Sequence, residues 1–218
     1  MKRTLAMFPL EIVVFPHERL TLHIFEERYQ QLIEDCEENE ITFGIPAYLN
    51  RKLTYGTEVK LEKIEKRYPT GASDIVCRGL RVFKIVDFYP NYNDKSYAGA
   101  EISFLNNTDE STLKQKEHFI SLVKRLYKAL DVDLGPINSD TITSFSFPHK
   151  LGLSLDQDIE LIKLADESDR YLYLIDHLTV TIPMIEQINR TRQLIELNGH
   201  FKSFNPLDFT DYVLGDID

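Results

Sequence analysis

The hydrophobic period changes partway through residues 7–30 (MFPLEIVVFPHERLTLHIFEERYQ), and that change limits what the front of the chain can build. An apolar run (Leu10, Ile12, Val13, Val14, Phe15) lies between Pro9 and Pro16, and a second, residues 20–24, follows a charged turn. Phe25, Tyr29, Leu32, Ile33 and Cys36 then fall at i, i+4, i+7, i+8 and i+11, one stripe of an α-helix. Glu26 and Glu27 stand in its first turn, where carboxylates complement the positive end of the helix dipole. The unit reads strand, turn, strand, helix. Lys2 and Arg3 precede apolar residues as in a leader peptide, but Pro9, Glu11 and Pro16 interrupt the apolar core, so this N-terminus is read as the first strand.

Residues 41–48 (ITFGIPAY) form a short strand broken by Gly44 and Pro46. Pro46 cannot donate to a ladder, which predicts a sheet edge or a bulge. After Gly56, Val59 and Leu61 alternate with Lys60 and Glu62, and Ile64 falls on the opposite parity, predicting a bulge near Lys63. Pro69-Thr70-Gly71 signals a hairpin turn. Residues 74–88 return as a long strand bent at Gly79, and residues 97–105 alternate again after a loop. Strands at this spacing predict a small, partly closed antiparallel barrel over residues 1–106.

From Thr112 the pattern is helical. Thr112 with Gln115, and Ser154 with Gln157, make capping boxes. The first helix is expected to bury Leu113, Ile120, Val123, Tyr127 and Leu130, with Leu126 beside them, and the second Leu155, Ile159 and Ile162. Between them, residues 141–150 read as a short helical segment ended by Pro148. A long last helix starts near Ser168 and buries Leu172, Ile175, Leu178, Ile182 and Ile185, with a kink at Pro183 and a stop at Asn198-Gly199. The expected division is a barrel lobe over 1–106, a helical lobe over 111–199 and a tail over 200–218, either draped over the surface or disordered at its end.

The order FPL…VVFP…L.LHIFE.RY resembles the N-terminal substrate-binding domain of the ATP-dependent Lon proteases, and most of all the short bacterial proteins made of that domain alone. The run with Gly56, Thr57, Ile64, Gly79, Leu80 and Arg81 is similar to that domain's hairpin, and residues 151–178 to its helix–turn–helix. The resemblance implies an α+β fold: a pseudouridine-synthase-and-archaeosine-transglycosylase-like (PUA-like) barrel with one helix, then a helical lobe ending in a long kinked helix. It also implies a non-catalytic module that binds unfolded or degron-bearing polypeptides, as an adaptor or holdase or beside a protease or ATPase on another chain.

Other chemistry finds little support. Nine glycines include no Walker-type phosphate loop, and no serine sits in a glycine-flanked nucleophile turn. The six histidines show no metal-ligand spacing, so no cofactor or metal is expected. Cys36 and Cys77 read as small buried hydrophobes, which fits a reducing cytoplasm. No apolar run approaches the ~20 residues a membrane span needs. A net charge of −10 disfavours a phosphate-binding surface, and Lys114, Lys116, Lys124, Arg125 and Lys128 read as a solvated helix face. The alternatives kept open are an RNA-binding PUA-like module and an uncharacterised hydrolase. For peptide binding, the side chains that turns should place outward are Phe15, His17, Arg19, Tyr48, Tyr68, Tyr89 and Tyr92.

Overall fold

A computed structural model describes residues 2–147 and 149–201. Pro148, expected to end a helix, and residues 202–218 of the expected tail lie outside the described residues. Six strands come first: β1 (Lys2–Met7), β2 (Arg19–Ile24), β3 (Phe43–Leu49), β4 (Lys52–Arg67), β5 (Ser73–Tyr89) and β6 (Ala98–Phe104). Helix α1 (Glu27–Asn39) lies between β2 and β3, and α2 (Leu113–Ala129), α3 (Leu155–Lys163) and α4 (Glu167–Phe201) follow β6.

Neighbours run β2-β5-β4-β3-β1-β6, and β6 also pairs with β5, so the sheet curls into a ring from which β2 projects. The ring is irregular. Registers shift at Pro46/Tyr48, Leu61/Lys63 and Ile85/Asp87, and β1 meets β3 in parallel over only two residue pairs. The bulges at Pro46 and near Lys63 fall where broken alternation placed them. Pro46 is no edge, however: Leu10 donates to its carbonyl and Tyr48 donates back to Leu10, so β3 is covered on that side. The edge belongs to β2, whose sole strand partner among the described residues is β5.

The first apolar run departs from expectation. β1 ends at Met7, and residues 8–18 form a connection bent at residues 11–12 and turned at 16–17, with an extended stretch at 13–15 and one isolated bridge, Leu10 to Ala47. Proline at positions 9 and 16 withholds the N–H groups a ladder would use. Successive side chains of an extended chain point to opposite sides, and Val13 and Phe15 enter the core beneath the helices while Val14 enters the core inside the ring. The Thr57 hydroxyl donates to the Val14 carbonyl, and Glu18 accepts from the Phe15 N–H at 2.8 Å. Gly79 is required here, because a Cβ on it would sit 2.1 Å from the Phe15 carbonyl oxygen.

In α1, Tyr29, Leu32, Ile33 and Cys36 are buried as their spacing predicts. Phe25 precedes the helix and is 67% exposed, so it leaves the stripe. Both capping boxes form. Helices α2 and α4 run parallel, from a Gln115–Ser168 hydrogen bond (2.7 Å) to Asn189 Nδ2 donating to the Ala129 carbonyl (2.5 Å). The buried face of α2 is Phe119, Ile120, Leu122, Val123, Leu126 and Tyr127. Leu113 and Leu130 fall at the ends of that contact and are exposed, against expectation. The buried stripe of α4 is Tyr171, Leu174, Leu178 and Ile182, flanked by half-buried Ile175 and Ile185, and Leu172 faces solvent. The helix also passes through Asn198-Gly199 to Phe201; one glycine in a helix costs only about 1 kcal/mol.

Residues 141–147 form turns rather than a helix. Their hydroxyls hold other partners: Thr143 N–H donates to Ser146 Oγ (2.9 Å), and Ser144 donates from both N and Oγ to Glu167 (2.6 and 2.8 Å). Such bonds compete with helical ones.

Candidate functional site

The register of β5 opens a cleft. Along one side, Ser73–Arg78 pair with β2 and Phe83–Tyr89 pair with β6. The stretch between has only its two ends tied, His17 N–H to the Gly79 carbonyl (2.9 Å) and Leu105 N–H to the Val82 carbonyl (3.0 Å). On the other side, Glu58 pairs with Arg81 and Val59 with Gly79, so Leu80 is the extra residue of a bulge. Here the sheet meets Phe145, Ile162 and Leu164 of the helical layer around a cleft of about 320 Å³.

Two arginines line it. Arg170, at the start of α4, is buried and saturated: it donates to Glu167 Oε2 (2.8 Å), Asn107 Oδ1 (2.6 Å), Ser144 Oγ (3.0 Å) and the Leu164 carbonyl (2.7 Å). Arg81 reaches Glu58 through Nε (3.0 Å) and Nη2 (2.8 Å), with its guanidinium 3.9 Å over the Phe104 ring. Glu58 is 1% exposed and also accepts from Arg3 (3.1 Å) and Thr42 (2.8 Å).

At the opposite end of β2 lies an aromatic corner. His23 Nδ1 is 2.6 Å from Asp74 Oδ1, the Tyr68 hydroxyl donates to Asp74 Oδ2 (2.7 Å), and Phe25 stacks on the His23 ring. These bonds, His23 first and then Tyr68, hold the Asp74 carboxyl below its ordinary range. Arg19 and Arg78 grip Glu62 between the two ends.

The side chains expected to face outward divide. Phe15 is 2% exposed and packs on Phe145, so it belongs to the core, where its neighbours Pro16 and Gly79 turn it inward. His17 lines the cleft, Arg19 begins β2, and Tyr68 stands at the aromatic corner. Tyr48 and Tyr89 sit toward the far half of β5, Tyr48 opposite Leu53 and Tyr89 opposite Gly99. Tyr92 lies over Gly99, covering the backbone there. Phe104, Asn107 and Arg170 were not foreseen as site residues, since each becomes a neighbour of Arg81 only through the bulge and the packing of α4.

Other chemistry is weakly provided. Burial pushes both Cys36 and Cys77 up to about 12, far from thiolate reactivity. Among the described residues no three His, Cys, Asp or Glu side chains gather as a metal site, and no helix is long and apolar enough to cross a membrane.

The model of the ATP-dependent protease La (Lon) substrate-binding domain matches residues 4–189. The chain belongs to this family. A Lon N-terminal domain protein from Xanthomonas campestris is 26% identical, with a TM-score of 0.63 over 80% of this chain and 98% of that one. The N-terminal domain of a Mycobacterium avium complex Lon protease, 16% identical, shares the fold at a TM-score of 0.61, over 81% and 98% of the two chains. No curated protein matches. The Lon-domain fold therefore comprises the ring, its projecting β2 and the helices that close the cleft.

Proposed function

We propose that this Lon-type domain is a non-catalytic receptor for extended polypeptide segments, unfolded or degron-bearing, and that its site is the free edge of β2 together with the cleft at its start. One observation carries the reading: a strand with a single strand neighbour begins beside an apolar cleft. An unpaired edge offers main-chain hydrogen bonds to any extended sequence, and adjoining pockets select side chains. Gly79 N–H donates to the Glu18 carbonyl, so by the alternation of an antiparallel ladder Arg19, Thr21 and His23 direct their backbone groups outward. His17, Arg19 and Tyr68 lie on this path; Tyr48, Tyr89 and Tyr92 lie off it. The family resemblance supports work in cytoplasmic protein quality control, on a PUA-like scaffold, beside a protease or ATPase of another chain.

The test is anisotropy with a labelled, reduced and alkylated protein that cannot refold, without ATP. Wild type is expected to bind. Thr21→Pro removes one outward donor while proline remains tolerable at a sheet edge, so binding weakens about threefold to tenfold with the melting curve retained. No binding by wild type would overturn the proposal.

A further inference from the structure

We infer that the cleft beside Arg81 receives the free C-terminal carboxylate of a polypeptide with an apolar end. This rests on the polypeptide-binding reading and names the part of the chain that is read.

The argument is one of unspent donors. The chain carries ten more acids than bases, yet among the described residues no carboxylate lines this cleft. Four acceptors near it are already taken. Asn107 Oδ1 and the Leu164 carbonyl accept from Arg170, the Val82 carbonyl from Leu105, and the His17 carbonyl from Arg78 at 3.4 Å. Glu58 is committed to Arg3, Thr42 and Arg81. Donors remain: Arg81 Nη1, the Asn107 amide nitrogen (its oxygen being held), and the Asn106 amide.

Charge points the same way. Arg170 and Glu167 form one pair of opposite charge, whereas Arg3 and Arg81 share the single carboxylate of Glu58, so that group of three carries one positive charge. Phe104, Phe145 and Ile162 form apolar walls for a side chain. At about 320 Å³ the cleft is at the small end of ligand pockets (roughly 300–1,000 Å³). A chain end enters such a space once, whereas an internal acidic residue needs a way in and a way out. The residues preceding that end can run antiparallel along β2, which starts two residues after His17.

The experiment uses a short labelled peptide ending in Val-Leu, as free acid, as C-terminal amide, and as an amide with an internal aspartate. The free acid is expected to bind wild type about tenfold more tightly than either amide, the worth of a charge-assisted hydrogen bond. Arg81→Gln, with Arg3 still on Glu58, should erase the acid–amide difference, and Arg125→Gln, whose guanidinium bonds Glu186 of α4 away from the cleft, should keep it. Equal binding of acid and amide by wild type overturns the inference while leaving the polypeptide-binding reading intact; this contrast needs no variant to fold. Preference for the internal aspartate, or Arg81→Gln weakening acid and amide alike, also overturns it. If neither the peptides nor the unfolded protein binds, the broader reading falls with it.

Discussion

Arg170 and Arg81 line the same cleft, yet the side chain of Arg170 is 3% exposed and that of Arg81 is 56% exposed. Around Arg170, Glu167 accepts from Ser144 and from the guanidinium, so one ion pair ties α4, the 141–147 turns and the segment after β6. Around Glu58 the arrangement is inverted: the carboxylate is buried, and its arginines reach solvent. A buried cation with every donor used can only hold structure. A half-exposed one with a donor to spare can hold structure and still meet a ligand.

The largest expected effect breaks the first network. Glu167→Ala leaves the Arg170 guanidinium buried without its counter-charge, so stability should fall by about 3–5 kcal/mol in urea unfolding. Arg81→Gln should cost only about 1 kcal/mol, since Arg3 remains on Glu58 and the new side chain is hydrated. Equal losses from the two would mean that Arg81 is as structural as Arg170, and the contrast would fail.

One more buried charge, Asp158, sharpens the comparison. Asp158 has no arginine; His149 is its nearest partner (3.6 Å), and one of its oxygens has no hydrogen bond from the protein. Burial raises its pKa to about 6, with His149 opposing and Glu18 adding to the shift. Because the folded pKa lies above the unfolded value, the contribution of Asp158 is fully present below about pH 4 and is lost as pH rises through about 6. Carboxyls lowered in the folded state, among them Asp35, Asp109 and Asp166, act with the opposite sign. The quantity to measure is therefore wild-type stability minus that of Asp158→Asn. It should fall by about 2–3 kcal/mol between those pH values; a flat difference would show that burial does not govern the ionisation of Asp158.

What was legible in the sequence was local. The two capping boxes, the turn at Pro69–Gly71 and the bulges at Pro46 and near Lys63 depend on neighbours a few residues away, and each formed. Phe15 was illegible because its direction is set by Gly79, distant in sequence, pressed against its carbonyl. Leu113 and Leu172 match a helical period, but which arc is buried depends on where α2 and α4 meet. For the proposed site, His17, Arg19 and Tyr68 could be picked as turn or strand-end residues. The donor surplus at Arg81 could not, because it depends on which acceptors other elements consume.

The smallest expected effect concerns Arg19 at the start of β2, whose side chain reaches across β5 to Glu62 of β4 in a setting that resembles that of Arg81 in outline. It shares Glu62 with Arg78 as Arg81 shares Glu58 with Arg3, but here the carboxylate reaches solvent. Hydrogen bonds from Arg78 and then Arg19 hold the Glu62 carboxyl below its ordinary range. In Arg19→Gln, Arg78 stays in place, so an NMR titration should show the Glu62 carboxyl rising only part of the way back. The melting temperature should scarcely move, because water and salt already screen the pair. A melting loss as large as that of Arg81→Gln would mean that exposure of the carboxylate does not separate the two networks, and burial of Glu58 would lose its place in explaining why Arg81 is held open.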